Sequence, residues 1–143
     1  MTNPLASADF FALEAGECLD RLESLVDREA APPGDELLRA SRVLRGSALM
    51  AGQQAIARAA GGLEAVARAH RDGRRVWDRA TREHLAQAVE EFRFLVRRAR
   101  EWTEQDTGRA SRLGIGLEAL AGKTGGAEPR RDDRAELNTG VRA

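Results

Sequence analysis

Apolar residues along the first sixth of the chain recur with the period of one helix face. Phe11, Ala15, Cys18, Leu22, Leu25 and Val26 are spaced by three and four residues. Ser7-Ala8-Asp9 offers an N-cap, so a first helix is expected over about residues 8–29. The stretch "AAPPGD" ends it and starts a second helix, expected from about 35 to 51 and broken at Gly52. A third helix fits about 53–71, with Ile56, Ala59, Ala60, Leu63, Val66 and Ala67 on one side. Gly73 suits the left-handed position just past its end. Asp78 opens a long fourth helix, to about 104, striped by Leu85, Val89, Phe92, Leu95 and Val96. Thr107-Gly108 punctuates, and a short fifth helix is expected over about 109–121.

Short connections make sequential helices antiparallel. The expected fold is therefore all-α: an antiparallel up-down-up-down four-helix bundle with an extra C-terminal helix packed alongside. Residues 1–7 are expected to be an N-terminal extension, 8–121 the bundle and 122–143 a tail. That tail, rich in glycine and charge with almost nothing to bury, is expected to be disordered. No internal repeat is visible.

Composition agrees with a helical domain. The chain of 143 residues is one domain in size, has no tyrosine and is 4% aromatic. It carries 23 basic and 23 acidic residues, so nothing in its overall charge points to nucleic acid or a membrane as partner. A lone cysteine, Cys18, excludes an intrachain disulfide and multi-cysteine zinc sites, and is expected to be a small core residue. The N-terminus does not read as a signal peptide and no apolar run approaches the ~20 residues of a membrane span, so a cytoplasmic protein is expected. His70 and His84 are too few for a metal site. Gly122-Lys123-Thr124 lacks the first glycine of a phosphate-binding loop and follows no strand. With no nucleotide-binding segment and no nucleophile–base pair, neither an enzyme nor a cofactor is expected. The oligomeric state stays open, with a monomer favoured.

The second helix carries the informative pattern. At 100° per residue, Leu37, Ala40, Ser41, Leu44, Ser47 and Ala48 form its buried side. Leu38, Arg42, Arg45, Gly46 and Leu49 fall opposite, in an outward strip. A glycine in a helix interior costs ~1 kcal/mol relative to alanine. Beside exposed leucines and arginines it allows another molecule to come close, so the strip reads as a docking surface. The plainer reading is a solubilising face with a tolerated glycine.

The stretch "RASRVLRGSA" resembles the signature of histidine phosphotransfer (HPt) domains, His-x-Leu-Lys-Gly-Ser-Ala in the middle of a bundle helix. Leu44, Arg45, Gly46, Ser47 and Ala48 match in order, with arginine for lysine. Phe11-x-x-Glu14-Ala15-x-Glu17-x-Leu19-x-x-Leu22 resembles the first helix of the version at the N-terminus of chemotaxis (CheA-type) kinases. Met50-x-Gly52 and Leu63-Glu64 fit as well, so the resemblance covers roughly residues 8–104.

Arg42 stands where the family has its phosphoacceptor histidine. Neutral imidazole is a nucleophile near neutral pH. Guanidinium stays protonated and offers no lone pair, so phosphoryl acceptance at this position is not expected. In the family a glutamate on the third helix orients the histidine; the matching residue is Glu64, 22 positions after Arg42. The resemblance thus implies an Arg42–Glu64 ion pair, worth ~0–1 kcal/mol if exposed.

The expected function is a non-catalytic docking module of two-component or chemotaxis-like signalling. Its expected partner is a response-regulator receiver domain or a histidine kinase, met through Leu38, Arg42, Arg45, Gly46 and Leu49. Receiver domains present clustered aspartates, which Arg42 and Arg45 would complement. Two alternatives stay open. One is a structural bundle that dimerises or scaffolds, with Trp77 or Trp102 as its contact, although these two more simply pack the bundle ends. The other is phosphotransfer moved to His70 or His84, each of which lacks the family context.

Overall fold

The computed structural model of the protein describes residues 4–122. Their regular elements are all helices, with no strand among the described residues. Helix α1 spans Pro4–Val26, α2 Gly34–Met50, α3 Gln54–Arg71, α4 Arg79–Arg97 and α5 Glu104–Gly122, and a 3-10 turn at Ala99–Glu101 separates the last two. The tail expected to be disordered lies, from residue 123 on, outside the described residues.

Contacts across the seams set the helix directions. The Cys18 thiol donates to the Ala40 carbonyl at 3.0 Å and Ser47 Oγ donates to Glu14 at 2.7 Å, so α1 and α2 are antiparallel. Gly34 lies against Arg71 and Arg45 against Gly61, which makes α2 and α3 antiparallel. Arg93 bonds Asp20 and Glu23, and Arg100 bonds Asp9, placing α4 and the turn after it antiparallel to α1. The fifth helix runs beside α3 in the same direction: Gly114 meets Ala59 and Leu117 meets Gly62. Four helices alternate up and down as expected, and the fifth is packed alongside.

That fifth helix is seated very close. A Cβ added to Gly62 would lie 2.8 Å from the Gly114 carbonyl oxygen and 3.0 Å from Leu117 Cβ. Only small residues let two backbones approach in this way. Ala110, Leu117 and Leu120 join Phe11, Leu44, Leu63, Phe92 and Leu95 in one continuous core.

Helix ends follow local chemistry. After α3, Gly73 takes φ +76° and donates to the His70 carbonyl, while Arg74 donates to that of Ala69. After α2, Gly52 at φ +74° donates to Leu49 and Gln53 donates to Ala48. Both are Schellman ends, in which a left-handed residue, here glycine, lets two amides satisfy orphan carbonyls. Asp78 accepts from the Thr81 amide at 2.8 Å and caps α4.

The expected boundaries fail at four helix ends. The first helix starts at Pro4 rather than near 8, and it ends at Val26 rather than near 29. The fourth ends at Arg97, not near 104, and the fifth begins at Glu104 rather than 109. The cause of the last two is a reciprocal cap. Thr103 N–H donates to Asp106 Oδ2 at 2.8 Å, and Asp106 N–H donates back to Thr103 Oγ1 at 3.4 Å. That cap starts a helix five residues early and carries it through Thr107-Gly108.

Candidate functional site

The seam between α2 and α3 gathers charge around one buried carboxylate. Glu64 is on the inner flank of α3, with its side chain only 8% exposed. Arg42 Nε donates to Glu64 Oε2 at 3.2 Å, Arg45 Nε donates to Oε1 at 2.8 Å and Arg68 Nη2 donates to Oε2 at 2.7 Å. Arg42 and Arg45 are one turn apart on α2, and Arg68 is one turn beyond Glu64 on α3. Helical spacing alone brings each pair to the same seam.

Burial acts to raise the Glu64 pKa, but hydrogen bonds from Arg42, Arg45 and Arg68 outweigh it and hold the carboxyl below its usual range. Glu64 is therefore ionised, and the cluster of three guanidiniums and one carboxylate keeps a surplus of positive charge. The pair expected between Arg42 and Glu64 is present. It differs from the expected exposed pair, because the carboxylate is buried and shared by three cations.

Around the outside of α2, the exposed arc runs from Arg45 through Leu49, Arg42 and Gly46 to Met50 and Val43. Leu49 is 51% exposed, Val43 48% and Met50 92%. A Cβ at Gly46 would meet nothing within 4 Å, so the helix has a shallow notch between its cationic and apolar halves. Val43 and Met50 lie one turn either side of Ser47, which bonds Glu14 on α1. Phe10, one turn before Glu14, is 63% exposed and carries the apolar surface onto α1.

Leu38 does not belong to this surface. It was expected on the outward strip beside Arg42 and Arg45, yet it is 2% exposed. It lies one turn from the tightest point of the α2–α3 seam, where a Cβ on Gly34 would fall 2.6 Å from Arg71 Cα. The helices close over that end of the strip, so an angular position that is exposed at Leu49 is covered at Leu38.

The other candidate residues are placed as follows. His70 is partly buried, with Nε2 2.8 Å from the Pro32 carbonyl and its ring 5.0 Å from that of Trp77. His84 is exposed on α4. Trp77 and Trp102 are partly buried against the core, and Trp102 Nε1 donates to Thr107 Oγ1 at 2.8 Å. Burial pushes the Cys18 thiol from 9.0 up to about 11, so it stays protonated in the core. Among the described residues no three His, Cys, Asp or Glu side chains gather as a metal-binding group, and no helix is long and apolar enough to cross a membrane.

Of the residues expected from sequence, the structure brings Arg42, Arg45 and Glu64 together and leaves Gly46 and Leu49 on the outer arc; Arg68, Phe10, Val43 and Met50 were not among those expected at the site. Arg68 was legible as the cation four residues after Glu64. The chain matches no protein-family model, no curated protein and no solved structure.

Proposed function

We propose that the chain is a non-catalytic docking module of a two-component phosphorelay, binding an acidic receiver domain or its histidine kinase through the outer face of α2. The observation that carries this reading is the fixing of Arg42. At the position the HPt resemblance gives to the phosphoacceptor, its guanidinium is held by buried Glu64 while the side chain remains 54% exposed. A cation so anchored offers charge-assisted hydrogen bonds to a carboxylate cluster. It has no lone pair with which to attack phosphorus. Arg45 adds a second cation, Gly46 admits a close approach, and Leu49, Val43 and Met50 supply apolar contact.

The test is phosphoryl acceptance and binding on the same preparation. Wild type and Arg42→His are incubated with autophosphorylated kinases and phosphorylated receivers and weighed as intact proteins. The expected result is a phosphoryl mass on Arg42→His alone. Label on the wild type would move the chemistry to His84 or His70. Arg42→Glu should abolish capture of a receiver domain; unchanged capture would favour a scaffold that associates elsewhere.

A further inference from the structure

We infer that Arg42, Arg45 and Arg68 form an oxyanion site that selects the phosphorylated state of the docked partner. This rests on the docking reading and adds to it a third residue and a ligand chemistry. Three guanidiniums from two helices converge on one carboxylate, and among the described residues no other acidic side chain is paired with them. The local balance is two positive charges in excess.

The bonding pattern leaves the donors facing outward unspent. Arg42 and Arg45 each reach Glu64 through Nε, and Arg68 through one Nη. Both Nη groups of Arg42 and Arg45, and Nη1 of Arg68, have no acceptor among the described residues. A guanidinium is a rigid planar fork of five donors, so fixing one edge orients the others. The three side chains are 54%, 45% and 40% exposed, which leaves these donors within reach of a ligand. Glu64 lies beneath them, too deep to meet a ligand itself. It sets the three forks in place and stays ionised while doing so.

The shape of the surroundings admits a bulky group. Gly61 is beside the Arg45 side chain, its would-be Cβ 3.9 Å from Arg45 Cδ, and the notch at Gly46 borders the Arg42 side. An aspartate on a partner offers one negative charge and two oxygens. The same aspartate carrying a phosphoryl group offers close to two charges and three strong acceptor oxygens. Three unspent forks with two surplus charges match the second ligand better than the first, because hydrogen bonds between ionised groups are the short, strong ones. No bond to phosphorus forms or breaks. The site holds the phosphoryl group where it is.

Two titrations of the full chain test this. In the first, inorganic phosphate is added at constant ionic strength while the arginine Nε–H resonances are followed by NMR, with acetate as the monoanion control. Saturable phosphate shifts at Arg42, Arg45 and Arg68 that acetate does not reproduce are expected, and should weaken at least fivefold in Arg68→Gln but not in Arg79→Gln. Equal response to acetate, or no saturation, overturns the site. In the second, receiver domains are titrated with and without beryllofluoride, which mimics the phosphoryl group on aspartate. Binding at least tenfold tighter with beryllofluoride is expected. Equal affinity in both states overturns the selectivity and leaves the docking reading standing. Phosphate binding with no receiver bound supports the oxyanion site and defeats the docking reading instead.

Discussion

Arg45 donates from Nε to Glu64 Oε1 at 2.8 Å across the α2–α3 seam, with the acceptor buried and the donor side chain 45% exposed. That asymmetry makes the two residues unequal in their effect on stability. Glu64→Gln keeps the shape but removes the charge that three guanidiniums share, so it should destabilise the fold by about 1–3 kcal/mol. Arg45→Ala removes one of three donors at a half-exposed position and should cost ~0–1 kcal/mol. Urea unfolding of the two variants beside wild type checks the order; an equal loss would mean that burial of Glu64 contributes nothing.

Acid should erase that difference. The Glu64 carboxyl is held below its ordinary value of 4.5, so its contribution is complete above that pH and is lost as pH falls through the lower folded value. Wild type should therefore exceed Glu64→Gln in stability at neutral pH and converge on it as pH falls below 4.5 and through the lowered folded value. The carboxyls of Asp78 and Asp106 are held low as well, by bonds from Thr81 and from Arg98 and Thr103 against burial, so both proteins should still weaken in acid. The measurement is the gap between the two unfolding curves at each pH, not the slope of either.

Two glycines should respond to alanine with opposite sign. At Gly46 a Cβ meets nothing within 4 Å, so Gly46→Ala should stabilise by about 0.5–1 kcal/mol through helix propensity. At Gly62 it would meet the Gly114 carbonyl oxygen at 2.8 Å, so Gly62→Ala should destabilise by about 1–3 kcal/mol. If the notch at Gly46 serves docking, the stabilised variant should also bind a receiver domain less well. Thermal melts and a binding titration on Gly46→Ala decide both points, and a rise in both stability and affinity would remove Gly46 from the docking surface.

Thr103→Ala should lower stability by about 1 kcal/mol, the usual effect of losing an N-cap. The loss belongs to α5, so amide exchange should rise first in Glu104–Gly108 and leave α4 protected. Uniform acceleration across α4 and α5 would show that the two helices unfold as one.

Periodicity made the five helices legible, because each has a face that must be buried and the breaks at Pro32-Pro33, Gly52 and Gly73 are strong. The junction of α4 and α5 was not legible in that way. Arg98 to Trp102 contains no glycine or proline, and the signal that starts α5 is the pair Thr103 and Asp106, whose meaning lies in reciprocal bonds rather than in hydropathy. At the site, Arg42 and Arg45 were visible from helical spacing, and Glu64 only from the HPt resemblance. Leu38 was misplaced because a wheel treats every turn of a helix alike, whereas the α2–α3 seam closes at Gly34 and Arg71. Phe10, Val43 and Met50 were missed for a related reason: their exposure depends on where α1 ends its cover of α2, which no single helix encodes.

The close seating of α5 on α3 also bears on how the protein is made. Glu64 lies on a helix whose two flanks are covered by different partners: α2, which precedes it, and α5, the last of the described helices to be synthesised. While synthesis is under way, α3 can pair with α2 and gather its arginines, yet its Ala59–Gly62 flank stays open until Gly114 and Leu117 arrive. A nascent chain stalled before α5 should thus carry the charged surface of the finished protein on an unfinished core, a form that chaperones would engage and that a premature stop would leave permanently exposed.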